Sequence, residues 1–212
     1  MWSISEGLIV LAAFLILYGY QFLHYLQVRH NPMSTSVGFN NHARAVWVKH
    51  IQKSKLDILA IQTLRNWTMA ATFLASTAIL MALGILSFAL TSDGLNELAH
   101  DFNLLGSQHH TLLIAKALLL ALTFLFSFMS FALAVRSYNH ASFLINIPPN
   151  YHLSINSENV ITTINQAALY YNLGMRGYYT SVPLVLWLLG PTWMLAAAAV
   201  ITFVNYKLDH GI

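Results

Sequence analysis

The sequence contains no cysteine at any of its 212 positions. Disulfide bonds, thiolate metal sites and cysteine nucleophiles are therefore excluded. Charge is also scarce, because Asp, Glu, Lys and Arg make up only 8% of the chain, against about 25% in an ordinary soluble domain. With 57% hydrophobic residues, such a chain cannot cover its surface in water, which indicates a membrane protein.

Four apolar segments with almost no charge account for this composition. They cover about residues 7–28, 66–90, 111–135 and 179–205. Each reaches the length of about 20 residues that a helix needs to cross a hydrocarbon layer of about 30 Å. We therefore predict an all-α integral membrane protein, with residues 1–212 forming a single transmembrane domain built as a four-helix bundle.

The charges between these segments are sorted by sign. Residues 29–65 and 136–178 carry most of the lysines and arginines, whereas most acidic residues lie elsewhere. By the positive-inside rule, both basic segments are predicted to face the cytoplasm. Both termini and the acidic segment 91–110 would then face outward, which in a bacterial inner membrane is the periplasm.

The two basic segments also show helical patterns. Residues 41–66 are predicted to form one helix, and a second amphipathic stretch begins at Ser157. A basic amphipathic helix with a tryptophan is typical of a membrane interface. The sequence thus predicts additional cytoplasmic interfacial helices beneath the bundle, and Gly190–Pro191 is expected to bend the fourth span or to mark close helix packing.

Polar side chains occur where each predicted span meets the cytoplasm. Polar groups at this depth are functional candidates because their burial in lipid is costly, although helix-end arginines also cap carbonyl groups and reach toward water. We predict a single polar cluster on the inner face that binds an anionic lipid or a small anion. Its members are Gln21, His24, Arg44, Gln62, Arg65, Asn66, Arg136, Asn139, His140 and Arg176.

Ten histidines allow a different interpretation. A haem between His24 and His140 is one alternative, and a copper or zinc ion on the outer face is another. The candidate outer-face ligands are His100, Asp101, His109, His110 and His210. No metal-specific spacing, serine-hydrolase, P-loop or dinucleotide motif is present, so no catalytic residue and no resident cofactor are predicted. Lys116, within the third span, is expected to reach outward or to pair with an outer aspartate.

Several short motifs are spread along the whole chain. They are NHARAVW at 41–47, LAIQTLRN at 59–66, MAATFLAST at 69–77, RSYNH at 136–140, RGYY at 176–179 and WLLGP at 187–191. In these motifs the chain resembles the domain of unknown function 599 family of bacterial and plant membrane proteins. The resemblance implies a multipass membrane protein and implies no activity. It also singles out Trp47 beside the arginines of the predicted cluster.

Three functions remain open at this point. The first is a non-enzymatic membrane component, either a homo-oligomer or an accessory subunit of a larger membrane complex. Its predicted partners are the lipid bilayer and other membrane subunits, and no nucleic acid is expected to bind. Small residues would let helices of such an assembly approach closely, at Ala70, Ala71, Ala75, Ser76, Ala78 and Ala196–Ala199. The alternatives are a histidine-dependent metal- or haem-binding redox protein or enzyme, and an oligomeric channel or transporter.

Overall fold

The computed structural model describes residues 4–90, 110–147 and 156–211. These residues form a short 3-10 turn, Pro32–Ser34, and six α-helices. In chain order the helices are α1 Ile4–His30, α2 Ser36–Ser54, α3 Asp57–Leu90, α4 His110–Leu144, α5 Ser157–Leu189 and α6 Pro191–His210. The all-α prediction is therefore confirmed.

Three of the helices have the length and composition of membrane spans. These stretches are Glu6–His30 in α1, Asp57–Ala89 in α3 and Leu112–Leu144 in α4. They cover nearly all of the first three apolar segments of the sequence, and they support the assignment of the chain to the membrane class.

The chain reverses direction at Gly190, between α5 and α6. Gly190 has a positive φ of 154°, which favours glycine, and Pro191 begins the next helix, where the missing N–H has no cost. Arg176 and Asp209 are 33 residues apart and yet hydrogen-bonded at 2.8 Å, which requires α5 and α6 to run antiparallel. The prediction of one bent span over residues 179–205 is therefore wrong.

Five long helices, rather than four, share one apolar core. It contains Val10 of α1, Ala82 of α3, Phe124 of α4, Leu184 of α5 and Met194 of α6. The reversal at Gly190 divides one apolar segment into two helices, α5 and α6. Apolar content alone cannot show this division, because a continuous helix would have the same composition. The predicted four-helix bundle is accordingly replaced by a five-helix arrangement.

The two ends of the described chain lie at opposite ends of the bundle. Near the end of α1, Tyr20 and His24 lie beside Asp209, near the end of α6, so these two helices run in parallel. We call this end of the bundle the basic end, because all ten lysines and arginines except Lys116 lie there. The prediction that both termini lie on one side does not agree with this arrangement.

Helix α2 stands alongside the first half of α5. Ser36 donates a hydrogen bond to the Leu208 carbonyl oxygen, and Arg44 bonds Asn165, so α2 runs antiparallel to α5. Its buried Ile51 joins a second apolar core with α3, α4 and α5. The predicted interfacial helix is thus a packed member of the fold.

The predicted helix over residues 41–66 is also divided. Lys55 adopts the left-handed conformation, with φ 53° and ψ 41°, and separates α2 from α3. One periodic pattern covered both pieces because the two helices pack their apolar sides against the same core.

At the opposite end, Lys116 is buried rather than extended toward the surface. Its Nζ donates to the Trp187 carbonyl oxygen at 3.1 Å and lies 5.3 Å from the centre of the Trp187 ring. This carbonyl belongs to the last turn of α5, where helix carbonyls lack partners within the helix. Lys116 therefore caps α5 beside the reversal.

Candidate functional site

A cavity of about 590 Å³ opens at the basic end, lined by residues of α2, α3, α5 and α6 and by Tyr138 of α4. This volume lies within the range of about 300–1,000 Å³ that is usual for small-molecule sites. Polar lining residues include Asn40, Arg44, Thr63, Asn172, Arg176, Asn205 and Asp209. Leu64, Tyr138 and Ile164 of the second apolar core line it, so the cavity borders that core.

Arg44, on α2, is held in place by neutral groups. Its Nε donates to Asn165 Oδ1 at 2.9 Å, and its Nη2 donates to Asn41 Oδ1. The Asn165 side chain also donates to the Asn41 carbonyl oxygen at 3.5 Å, which fixes both acceptors. The guanidinium is therefore held in a fixed orientation by neutral partners, and these partners leave its positive charge unneutralised.

Burial lowers the pKa of the Arg44 guanidinium from its usual value, and nearby Tyr138 acts in the opposite direction. The group remains charged at neutral pH, because an arginine pKa begins above about 12. Among the residues that the structure describes, no carboxylate forms an ion pair with Arg44. An anion inside the cavity would find an unneutralised, pre-oriented donor.

Arg176, which lines the cavity from α5, differs from Arg44 because a carboxylate neutralises its charge. Its Nη2 donates to both carboxylate oxygens of Asp209, at 2.8 and 2.9 Å. The Tyr20 hydroxyl donates to the same carboxylate at 2.8 Å. Asp209 thus joins α1, α5 and α6 and neutralises the charge of Arg176.

Aromatic side chains form the remaining wall. The Trp67 ring stacks on Tyr138, with 6.2 Å between centroids, and meets Tyr171 edge-on at 5.4 Å. Trp47 and Tyr179 also line the cavity. A ligand with an apolar body would find a large, rigid contact surface here.

The structure separates the ten residues of the predicted polar cluster. Arg44 and Arg176 line the cavity. Gln21 and His24 lie behind it, where the Gln21 amide donates to the Thr180 hydroxyl at 3.3 Å, and His24 Nδ1 is 3.6 Å from Asp209 Oδ2.

The other members lie elsewhere at the basic end. Arg136, Asn139 and His140 line a second groove of about 700 Å³ between α4 and α5. The remaining three are exposed on α3 and line neither space: Gln62, Arg65 and Asn66. The prediction grouped these residues by their level along the helices, but level alone does not fix the direction in which a side chain points around its helix.

Among the residues that the structure describes, the histidines do not form the predicted haem pair or a metal-binding group. His24 is buried beside Asp209 on the α1–α6 side, whereas His140 lines the second groove, so they do not face each other across a haem site. Over residues 4–90, 110–147 and 156–211, no three His, Asp or Glu side chains are grouped closely enough to hold a metal ion.

The proposed outer-face ligands are likewise divided. His100, Asp101 and His109 lie outside the described residues, and only the backbone of His110 is described. His210 lies at the basic end, where its Nε2 is 3.1 Å from Gln27 Oε1. It therefore lies at the end of the bundle opposite to the one predicted for it, because α6 returns to the end at which α1 finishes.

Asp209, Asn205 and Asn165 are cavity or positioning residues that the sequence analysis missed. Asp209 was assigned to the other end of the bundle by the single-span prediction, and Asn205 was placed inside that span. The signal that finds them is the Gly190–Pro191 pair, a helix-ending glycine followed by a helix-starting proline. Asn165 carries no comparable signal, since its role depends on the approach of α2 to α5.

Comparison with known proteins gives one match. A family model described as "Protein of unknown function, DUF599" matches residues 8–211, nearly the whole chain. No curated protein and no solved structure matches the chain. The family is of unknown function, so the match adds no residue role to those deduced from the geometry.

Proposed function

The chain belongs to the DUF599 family, for which no activity is described, and from its geometry we propose a non-enzymatic, multipass membrane protein that binds an anionic ligand in the cavity at the basic end. The observation that carries this proposal is the state of Arg44. A partly buried guanidinium held only by two amide oxygens retains a full positive charge facing the cavity. Burying an unpaired charge is costly, and a bound anion removes that cost.

The charge balance of the cavity supports an anion rather than a cation. Arg176 and Asp209 neutralise each other, which leaves Arg44 as the net charge of the lining residues. Amide groups of Asn40 and Asn172 add neutral donors to the lining. Phosphate and carboxylate groups match such a site, because arginine presents several N–H donors in one plane.

The distribution of charge along the fold gives an orientation for this cavity. With α6 returning to the basic end, every lysine and arginine except Lys116 lies on one side of the bundle. We place that side in the cytoplasm of a bacterial inner-membrane protein, following the positive-inside rule. The N-terminus is then outside, α5 and α6 cross the same layer as the three apolar spans, and the C-terminal end is cytoplasmic.

We also propose that the protein acts as a homo-oligomer or as a subunit of a larger membrane complex. Ala71, Ala75 and Ala78 of the predicted small-residue surface are buried within the chain. Ala70 and Ser76 on α3 remain exposed, as do Ala196 and Ala199 on α6. These exposed small residues support close helix contact with another chain, which cross-linking in native membranes followed by mass analysis would detect.

The ligand proposal is tested with purified protein in neutral detergent. Dioleoyl phosphatidate is the anionic probe, and dioleoyl phosphatidylcholine is the zwitterionic reference. Native mass spectrometry should show saturable, selective retention of phosphatidate by the wild type. Arg44→Gln should weaken its retention about tenfold or more, since charge-assisted hydrogen bonds to phosphate are lost.

Arg136→Gln is the matched control, because Arg136 lies at the same end of the bundle but outside the cavity. It should retain phosphatidate as the wild type does. Equal retention by wild type and Arg44→Gln, or a loss confined to Arg136→Gln, would contradict the proposal.

A further inference from the structure

The mouth of the cavity is formed by its exposed lining residues. Four of them are exposed: Asn40 and Ala43 on α2, Trp67 on α3 and Leu208 on α6. Trp67 is 45% exposed and Leu208 is 54% exposed, so two large hydrophobic side chains stand at the mouth. Between α3 and α6 the mouth is therefore apolar, whereas Arg44 lies inside.

An apolar track leaves this mouth along α6. Val204 and Val200 precede Leu208 at four-residue intervals, which places the three side chains along one side of the helix. Val204 is 40% exposed and Val200 is 61% exposed. The track points away from the basic end, along the part of the bundle that we place in the hydrocarbon layer.

From this arrangement we infer that the cavity takes a phosphate-bearing lipid from the side, with its head group at Arg44 and an acyl chain passing Trp67 and Leu208 along Val204. This inference rests on the proposed function, since it uses the same guanidinium as the anion donor. It adds the class of ligand and the direction of entry.

An amphipathic ligand matches this site, because the charged group lies inside the cavity and the apolar surface lies at its mouth and along α6. A free phosphate or sugar phosphate gains nothing from the exposed leucine and valines of the track. A lipid can keep its acyl chain beside these residues in the hydrocarbon layer while its phosphate group reaches Arg44, so both ends of the ligand stay in favourable surroundings. The aromatic wall then packs against the glycerol and ester region, where tryptophan and tyrosine are favoured in membranes.

The test compares a free head group with the intact lipid. Binding of sn-glycerol 3-phosphate and of dioleoyl phosphatidate to purified protein is measured in the same neutral detergent. The wild type should bind phosphatidate at least about tenfold more tightly. Leu208→Gln should lower phosphatidate affinity several-fold and leave glycerol 3-phosphate affinity unchanged.

Leu56→Gln is the control for the leucine substitution. Leu56 is 40% exposed at the same end of the bundle, and it does not line the cavity. Because Leu208 itself is exposed, the variant should fold, and its melting temperature should match that of Leu56→Gln.

The outcomes separate this inference from the proposed function. Lateral lipid binding would be overturned by equal affinity for the two probes, or by unchanged phosphatidate affinity in Leu208→Gln. In either case, weaker binding of both probes by Arg44→Gln would still support an anion site. Unchanged affinity of Arg44→Gln for both probes would overturn the anion site and the lipid inference together. A several-fold loss restricted to phosphatidate in Leu208→Gln supports both.

Discussion

Arg176 on α5 and Asp209 on α6 are joined by two hydrogen bonds from one guanidinium nitrogen, at 2.8 and 2.9 Å. The pair closes the hairpin that begins at Gly190, and the Tyr20 hydroxyl ties α1 to the same carboxylate. Because Asp209 also lines the cavity, the contact that fixes three helices forms part of the candidate site.

Asp209→Asn should destabilise the fold by about 1–3 kcal/mol, because the partly buried Arg176 loses its counter-charge. The measurement is thermal unfolding in detergent, with Glu158→Gln on the exposed first turn of α5 as the control. The control should change stability by only about 0.3–1 kcal/mol. Equal melting temperatures for Asp209→Asn and the wild type would mean that the ion pair does not hold the hairpin.

Asn165→Asp should abolish selective anion binding without harming the fold. The new carboxylate would stand where an amide oxygen now lies 2.9 Å from Arg44 Nε, and it would neutralise the guanidinium. Phosphatidate affinity should fall by about tenfold or more, while the melting temperature stays equal or rises. Asn139→Asp, in the second groove, supplies the same charge change away from Arg44 and should bind normally. Full affinity in Asn165→Asp would argue against Arg44 as the anion donor.

Gly174→Ala should disrupt the contact between α4 and α5. A Cβ at Gly174 would lie 2.7 Å from ring carbons of Phe131, which is fully buried and has no room to move. We expect a loss of about 1–3 kcal/mol, typical of overpacking. Gly84→Ala is the control, since a Cβ there meets nothing within 4 Å. Similar melting temperatures for the two variants would show that α4 and α5 can separate without cost.

Lys116→Met should destabilise the opposite end of the bundle. It removes the donor to the Trp187 carbonyl, and a buried carbonyl without a partner costs about 1–3 kcal/mol. Lys207→Met is a matched control, because Lys207 also lies 5.3 Å from an aromatic ring, that of Phe203, but is exposed. Thermal unfolding should therefore distinguish the two lysines. A larger effect at Lys207 would be contrary to a capping role for Lys116.

The position of the C-terminal end can be read by labelling, because the chain has no cysteine of its own. Single cysteines at Ser54, Lys207 and Asn96 are treated with an impermeant maleimide in intact cells. Asn96→Cys, between α3 and α4, should react at once, whereas Ser54→Cys and Lys207→Cys should react only after lysis. Labelling of Lys207→Cys in intact cells would restore the prediction that both termini face outward.

The sequence was sufficient for the all-α membrane class and for three long apolar helices. Long apolar runs indicate that a helix is surrounded by lipid, and the basic residues near the ends of α1, α3 and α4 indicate where the predicted spans meet water. These are local properties, so they need no knowledge of how one helix faces another.

The reversal at Gly190 and the division of the polar cluster could not be predicted in the same way. Helices α5 and α6 together have an apolar stretch of the length of a single span, and only the backbone conformation at Gly190 separates them. The rotation of each helix decides that Arg44 faces the cavity while Arg65 is exposed and Arg136 lines a different groove. That rotation is set by packing between distant segments.

The placement of the tryptophans has a practical consequence for experiments on this protein. Trp47 and Trp67 line the cavity, whereas Trp187 is buried in the five-helix core and Trp193 is exposed on α6. Indole emission responds to the polarity around the ring, so the first pair would report occupancy of the cavity and Trp187 would report integrity of the fold. Replacing Trp2, Trp187 and Trp193 by phenylalanine would thus leave Trp47 and Trp67 as the remaining tryptophans and give the protein an intrinsic optical sensor of its own ligand.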